Sequence, residues 1–351
     1  MNKLSIFVSV ALLSGAAQAA TTVKIATISA LSGPVSNLGL QLKNGTQLAV
    51  NEMKAEFAKA GMTLSLVAYD DQADPATGTA AARRVIADRA VLGVVGPLTS
   101  GVAIPATQAM SASHLVSVMS TATNEKITDR GLKNVNRVCA RDDAQGSSGG
   151  NYVVDVLKAK KVYVLNDKTP YGQGLAGEAE KAMKAKGATI VQSEGVAAEE
   201  RDFTALITKI QALKPDAIYF GGLYGQIGPF TKQLRDKGIN TPIMGGDGLD
   251  SPDMIKLAGS GANNVYYTSL TPDTGSIAGD LRAWATVIVD DITLHPGGRV
   301  ELGRRPERCP RRPGRRRHPR RRGRPRGHRH RHHDLARRPR HRRAPVGGPA
   351  P

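Results

Sequence analysis

Between Thr21 and about Trp284, short runs of β-branched and apolar residues alternate with longer amphipathic stretches, and this alternation narrows the possible folds more than any other feature of the chain. Strand-length and helix-length segments repeated in turn bury their apolar faces as parallel strands joined by crossover helices. Val23 to Ser29 reads as a strand, Ser32-Gly33-Pro34 as a loop, and Leu40 to Lys59 as a helix ended by Gly61, with Leu42, Ala49, Met53 and Phe57 near one face. Strands over Leu64 to Tyr69, Val91 to Val95 and Leu115 to Met119 alternate with helices over Ala76 to Ala87 and Val102 to Ser111. After a polar patch, Arg141 to Gly150, the pattern restarts with a helix over Asn151 to Leu157. Strands Lys161 to Asn166, Ile190 to Val196, Ala217 to Gly221, Ile243 to Gly246 and Val265 to Thr268 follow, with helices Leu175 to Lys186, Phe203 to Leu213 and Ile227 to Lys237 between them. The fold class expected is α/β, with two doubly wound parallel-sheet lobes in series.

Both ends of the chain differ from this pattern. From Arg299 onward stand 21 Arg, no Lys and three acids, so that stretch carries +18 of the chain's formal +19. A basic run such as Arg311 to Arg326 could neutralise phosphates. The tail has no aromatic residue for stacking on bases, and it consists almost entirely of Arg, Pro, Gly, Ala and His. GC-rich coding DNA read out of frame yields those residue types. Residues 299–351 are therefore expected to be either out-of-frame sequence or a basic tail, disordered in both cases for want of apolar content. At the other end, Lys3, the apolar stretch Leu4 to Leu13 and the small residues Ala17-Gln18-Ala19 read as a secretory signal peptide over residues 1–20, cleaved near Ala19. Export would allow disulfides, yet only Cys139 lies outside the tail, where Cys309 stands.

Catalytic signatures are missing. Gly172-Gln173-Gly174-Leu175-Ala176-Gly177 matches G-x-G-x-x-G, but Asp167 to Tyr171 separate it from the preceding strand, whereas a dinucleotide site needs the glycines in the turn itself. It reads instead as a glycine-rich helix start. His114 and His295 sit in no metal-ligand or nucleophile arrangement. His328, His330, His332 and His333 of the tail could chelate metal as an affinity tag does. No cofactor, metal site or catalytic residue is expected.

In open α/β sheets, ligands bind outside the carboxyl ends of the strands. Here those ends carry hydroxyls and one acid. Val91 to Val95 runs into Gly96 to Gly101, with Ser100 able to cap the next helix; Leu115 to Met119 runs into Ser120-Thr121-Ala122-Thr123-Asn124; and Ile243 to Gly246 ends at Asp247. Each alone also reads as a cap or turn residue. Together they suit a zwitterionic amino acid, with Ser100, Thr123 and Thr121 backbone groups toward its carboxylate and Asp247 toward its ammonium.

Several stretches extend this pattern: Leu31-Ser32-Gly33-Pro34, Tyr69-Asp70-Asp71 leading to Asp74-Pro75, Gly96 to Pro105, Ser120 to Asn124, Asn166-Asp167-Lys168 with Tyr171-Gly172, Asp202-Phe203, Tyr219 to Gly222, and Met244-Gly245 with Asp247-Gly248. In them the chain resembles the leucine/isoleucine/valine-binding proteins that feed ABC importers, over about residues 22–280. The resemblance implies a periplasmic-binding-protein type I, "Venus flytrap" fold: lobe I over 21–141, lobe II over 142–268, and a partial return to lobe I over 269–298. It implies ligand contacts at Ser100, Thr121, Thr123, Tyr171 and Asp247, with Asp142 near the pocket at the first crossover. Leu38 and Leu223, beside Tyr224, take positions often aromatic in the family, and Ala73 and Thr99 stand where the family carries a disulfide. A further return to the first lobe, with a third crossing, is implied where readable sequence fades between Trp284 and Arg299. Its loss would leave apolar surface bare.

The expected function is an exported, non-enzymatic receptor, monomeric and without nucleic-acid partners, that closes over leucine, isoleucine or valine and delivers it to an ABC permease. Three alternatives stay open: a binding protein for an amide, urea or aromatic acid; an α/β enzyme using Asp142 or Asp247 as base; and a basic-tailed nucleic-acid binder.

Overall fold

Two parallel five-stranded sheets carry the chain, each with helices on both faces. The computed structural model describes residues 21–113 and 115–270, and the backbone of Ile292–Leu294 and Val300–Leu302. The expected signal segment, His114, His295, nearly all of the expected return segment and almost all of the Arg-rich tail, with Cys309 and its histidines, lie outside the described residues. Val300–Leu302 pairs as an antiparallel strand with Ile292–Leu294.

The first lobe runs β1 (Thr21–Ser29), α1 (Ser36–Lys59), β2 (Met62–Asp70), α2 (Pro75–Ala87), β3 (Val91–Val95), α3 (Ser100–Met110), β4 (Val116–Met119), α4 (Lys126–Asp129) and β5 (Val135–Arg137). Its strand order is β2-β1-β3-β4-β5, so the winding reverses between β1 and β3. The second lobe runs α5 (Asp142–Asp155), β6 (Lys161–Asn166), α6 (Pro170–Ala185), β7 (Thr189–Gly195), α7 (Thr204–Leu213), β8 (Ala217–Gly221), α8 (Tyr224–Asp236), β9 (Ile243–Gly245), α9 (Pro252–Ala258) and β10 (Val265–Tyr267), with one-turn 3-10 helices at Asp247–Leu249 and Gly259–Ala262. Its order is β10-β9-β8-β6-β7, reversing between β6 and β8. Each crevice lies outside the carboxyl ends of its sheet, and loops from the ends of β3, β4 and β9 line one cavity.

Local chemistry explains the boundaries. Asp74 caps α2 by accepting from Thr77 N at 2.7 Å, Thr169 caps α6 by accepting from Gly172 N at 3.1 Å, and each cap precedes a proline that cannot use the first orphan N–H position. All five residues of β8 are buried, as a central parallel strand covered on both faces requires. Leu42, Thr46, Val50 and Phe57 form the buried stripe of α1, while Ala49, expected on that face, is exposed.

The polar patch Arg141 to Gly150 is also corrected: all but its first residue belongs to α5. Tertiary contact outweighs propensity there. A Cβ at Gly146 would stand 2.6 Å from Leu175 O and one at Gly150 2.5 Å from Ala179 O, so the glycines let α5 lie directly on α6. The strand β5 and the single turn α4, neither expected, complete the first sheet before the chain crosses at Val138 to Arg141.

Candidate functional site

The two lobes meet across the cleft. One apolar cluster joins Val35, Leu42 and Leu98 of the first lobe to Tyr224, Ile227 and Leu249 of the second, with Leu38 and Leu223 packed against it. Gly225 comes so near the first lobe that a Cβ there would lie 2.9 Å from Pro34 O. Between the lobes is a cavity of about 130 Å3. The first lobe lines it with Leu38, Gln41, Leu42, Leu98, Thr99, Ser100, Ser120 and Thr121, and the second with Tyr171, Leu223, Asp247 and Gly248. A larger space of about 490 Å3 shares Thr99, Tyr171 and Leu223 with it and leads past Asp74, Lys168 and Gln226.

The donor wall is built at the start of α3. Ser100 is the first residue of the helix and Thr99 its cap, so the unsatisfied N–H groups of the first turn and their partial positive charge belong to this wall. Ser100 Oγ already accepts a hydrogen bond from Asn124 N at 3.2 Å, which leaves its own proton to donate. Thr99 Oγ1 is buried with no partner. Thr121 Oγ1 donates to Leu98 O at 2.9 Å, so toward the cavity Thr121 has its backbone to offer.

The acceptor wall is Asp247 at the end of β9. It lies deep among protein atoms but keeps part of its surface open to the cavity. Burial pushes its carboxyl up to about 6, against the pull of Tyr171. Tyr171 Oη donates to Asp247 Oδ1 at 2.9 Å and accepts from Gly248 N at 3.1 Å, and burial beside Asp247 holds its phenol well above the ordinary value. One lobe thus offers hydrogen-bond donors, the other a carboxylate, and leucines lie between.

Six of the residues singled out from sequence line this cavity: Ser100, Thr121, Tyr171, Asp247, Leu38 and Leu223. Three do not. Thr123 is fully buried behind the wall; its carbonyl accepts from Asp142 N at 3.1 Å and its hydroxyl, near Asp142, does not reach hydrogen-bonding geometry. Asp142 is fully buried at the start of α5, and burial, with Glu125 and Asp247 nearby, pushes its carboxyl up to about 7. Tyr224, the first residue of α8, is 2% exposed and sits in the apolar cluster against which Leu223 packs. Sequence reasoning passed over Thr99 and Asn124 as contributors; the hydroxyl-rich strand end at Ser120 to Asn124 was the available signal for the second. The G-x-G-x-x-G run lies within the first two turns of α6 rather than in a strand-to-helix turn, with Gly172 packed on Gly221 and Asp167. Among the described residues no three His, Cys, Asp or Glu side chains group as metal ligands, Cys139 is free, and no helix is long and apolar enough to cross a membrane.

Residues 22–286 match the model of a family described as periplasmic binding protein. The chain is 36% identical over 297 residues to the Leu/Ile/Val-binding protein BraC3 of Rhizobium johnstonii, covering 84% of this chain and 81% of that one. It is 35% identical over 238 residues to Leu/Ile/Val-binding protein homolog 1 of Brucella abortus, covering 68% of this chain and 64% of the relative, slightly under two thirds of its length. Among solved structures it is similar to the branched-chain amino acid transporter substrate-binding protein LivJ of Streptococcus pneumoniae in complex with isoleucine (TM-score 0.68, 29% identity, 75% of each chain). It is also similar to a leucine binding protein LivK of Thermotoga maritima (TM-score 0.69, 26% identity, 76% of this chain and 75% of that one).

Proposed function

This chain belongs to the periplasmic binding protein family, and we propose that it captures an aliphatic amino acid, leucine, isoleucine or valine, between its lobes and presents it to an ABC permease. The observation that carries this reading is the pairing of the α3 N-terminus and the Ser100 hydroxyl with the Asp247 carboxylate across a cavity walled by Leu38, Leu98 and Leu223. The carboxylate of an amino acid suits the first wall, its ammonium the second, and a short branched side chain the leucines. Ser100, Thr121, Tyr171 and Asp247 make direct contact in this reading, while Thr123 and Asp142 act from behind the walls. The lobes divide near Arg141, the protein is exported after cleavage near Ala19, and it works as a monomer without enzymatic activity.

Thermal-shift measurements on the full chain test the reading. Leucine, isoleucine and valine should raise the melting temperature, whereas leucinamide, which lacks the carboxylate, and isocaproate, which lacks the ammonium, should not. A larger shift with isocaproate, an aromatic acid or an uncharged amide would overturn it.

A further inference from the structure

We infer that Asn124 is a positioning residue that ties the donor wall of the cavity to closure of the second lobe, and that residue 174 is glycine to let this latch form. The inference rests on the reading of the cavity as the ligand site.

Asn124 is 4% exposed and belongs to the first lobe, yet it makes contacts in three directions. Its backbone N–H donates to Ser100 Oγ at 3.2 Å, holding the hydroxyl of the donor wall. Its Nδ2 donates across the cleft to Pro170 O at 2.8 Å, at the first residue of α6, and more weakly to Asp142 Oδ2 at 3.4 Å. Its Oδ1 accepts from Lys126 N at 3.0 Å, which fixes the amide with its NH2 group toward the second lobe. Tyr171, the residue after Pro170, donates to Asp247. A continuous path therefore runs behind the cavity from Ser100 through Asn124, Pro170 and Tyr171 to Asp247. Opening the lobes would break it at the Asn124–Pro170 bond, leaving two buried polar groups to find water or other partners.

The matching surface on α6 is Gly174. A Cβ there would stand 2.5 Å from Asn124 Nδ2 of the first lobe, which is held by its bond to Pro170 O, and 2.6 Å from Asp142 Oδ2 of α5, so a side chain would press α6 away from the Asn124 amide. Beside it, Pro170 Cδ already lies 3.5 Å from where a Cβ on Gly101 would be. Gly177, one turn further along the same helix, has nothing within 4 Å of its Cβ position. Two glycines of one motif therefore differ in the property at issue, and the second is a control for the first.

The test places spin labels at Leu48 on α1 and Val156 after α5, both well exposed, in a full-length protein whose native cysteines are replaced by serine. Interlobe distance, leucine affinity and melting temperature are measured for the parent, Gly174→Ala, Asn124→Ala and Gly177→Ala. The latch requires that Gly174→Ala and Asn124→Ala lengthen the interlobe distance and weaken leucine binding at least tenfold, while Gly177→Ala keeps the parental distance and affinity and melts no lower. Asn124→Ala removes atoms instead of adding them, so a folding defect from crowding cannot account for its opening. Gly174→Ala and Asn124→Ala matching Gly177→Ala in distance would overturn the latch. Distances that separate as expected in proteins that do not bind leucine would support the latch and overturn the amino-acid reading instead.

Discussion

Because burial pushes the Asp247 carboxyl up to about 6 in the unliganded protein, the charge that would hold an ammonium fades in mildly acidic solution. A bound ammonium keeps that carboxylate ionised, so binding below about pH 6 must expel a proton, and affinity should fall by up to about tenfold per pH unit there. Calorimetry of leucine between about pH 7 and pH 5, in buffers of different ionisation enthalpy, checks both the loss and the proton release; an affinity flat across that window would contradict the role given to Asp247. Asp247→Asn keeps the shape and removes the charge, and should weaken leucine binding by about 2 to 5 kcal/mol. Ser100→Ala removes one hydrogen bond to a carboxylate and should cost roughly 1.5 to 3 kcal/mol of binding. Its acceptor side is already engaged by Asn124 N, so its loss also frees that N–H.

At the scale of elements, the contact between α5 and α6 is the most sensitive to a single added carbon. Gly146→Ala or Gly150→Ala would force the Cβ into α6 backbone and should lower stability by about 1 to 3 kcal/mol in denaturant unfolding, whereas Gly177→Ala, in open space, should raise it by about 0.5 to 1 kcal/mol. Equal effects at positions 146 and 177 would show that close packing is not what selects glycine there. The same helix pair marks the limit of what could be read from sequence. Strands such as β8, buried on both faces, announce themselves locally, as does α2 with Pro75 after the polar cap Asp74, whereas the sequence pattern places α6 only from Leu175, five residues past its true start at Pro170. The first half of α5 does not, because its polar and glycine-rich residues are made helical by a partner more than twenty positions away. The strand β5 is too short to show a period. At the cavity, strand ends pointed to Ser100, Thr121 and Asp247, since ligands gather at those ends. The placement of Thr123 and Tyr224 depends on the rotation of a turn, which composition does not set, and Asn124 draws its role from Ser100 and Pro170, far along the chain.

For the whole molecule, buried acids couple folding and binding to pH in opposite senses. Burial raises Asp71 to about 6, Asp142 to about 7 and Asp247 to about 6, all above an ordinary aspartate. Each binds its proton more tightly folded than unfolded, so between about pH 7 and pH 4 the folded state holds more protons and gains stability as pH falls. The acids held below their usual range, Asp70, Asp88 and Asp216 among them, withdraw stability only under more acidic conditions. The melting temperature of the unliganded protein should therefore rise from about pH 7 to pH 5 while leucine affinity declines. A midpoint that falls over that interval would mean that these carboxylates stay ionised in the folded protein. Isothermal titration calorimetry of the unmodified protein at neutral pH tests the central claim most directly. Leucine should bind at one site per chain, and far more tightly than glutamate or lysine. Absence of leucine binding, or tighter binding of glutamate, lysine or glutamine, would contradict it.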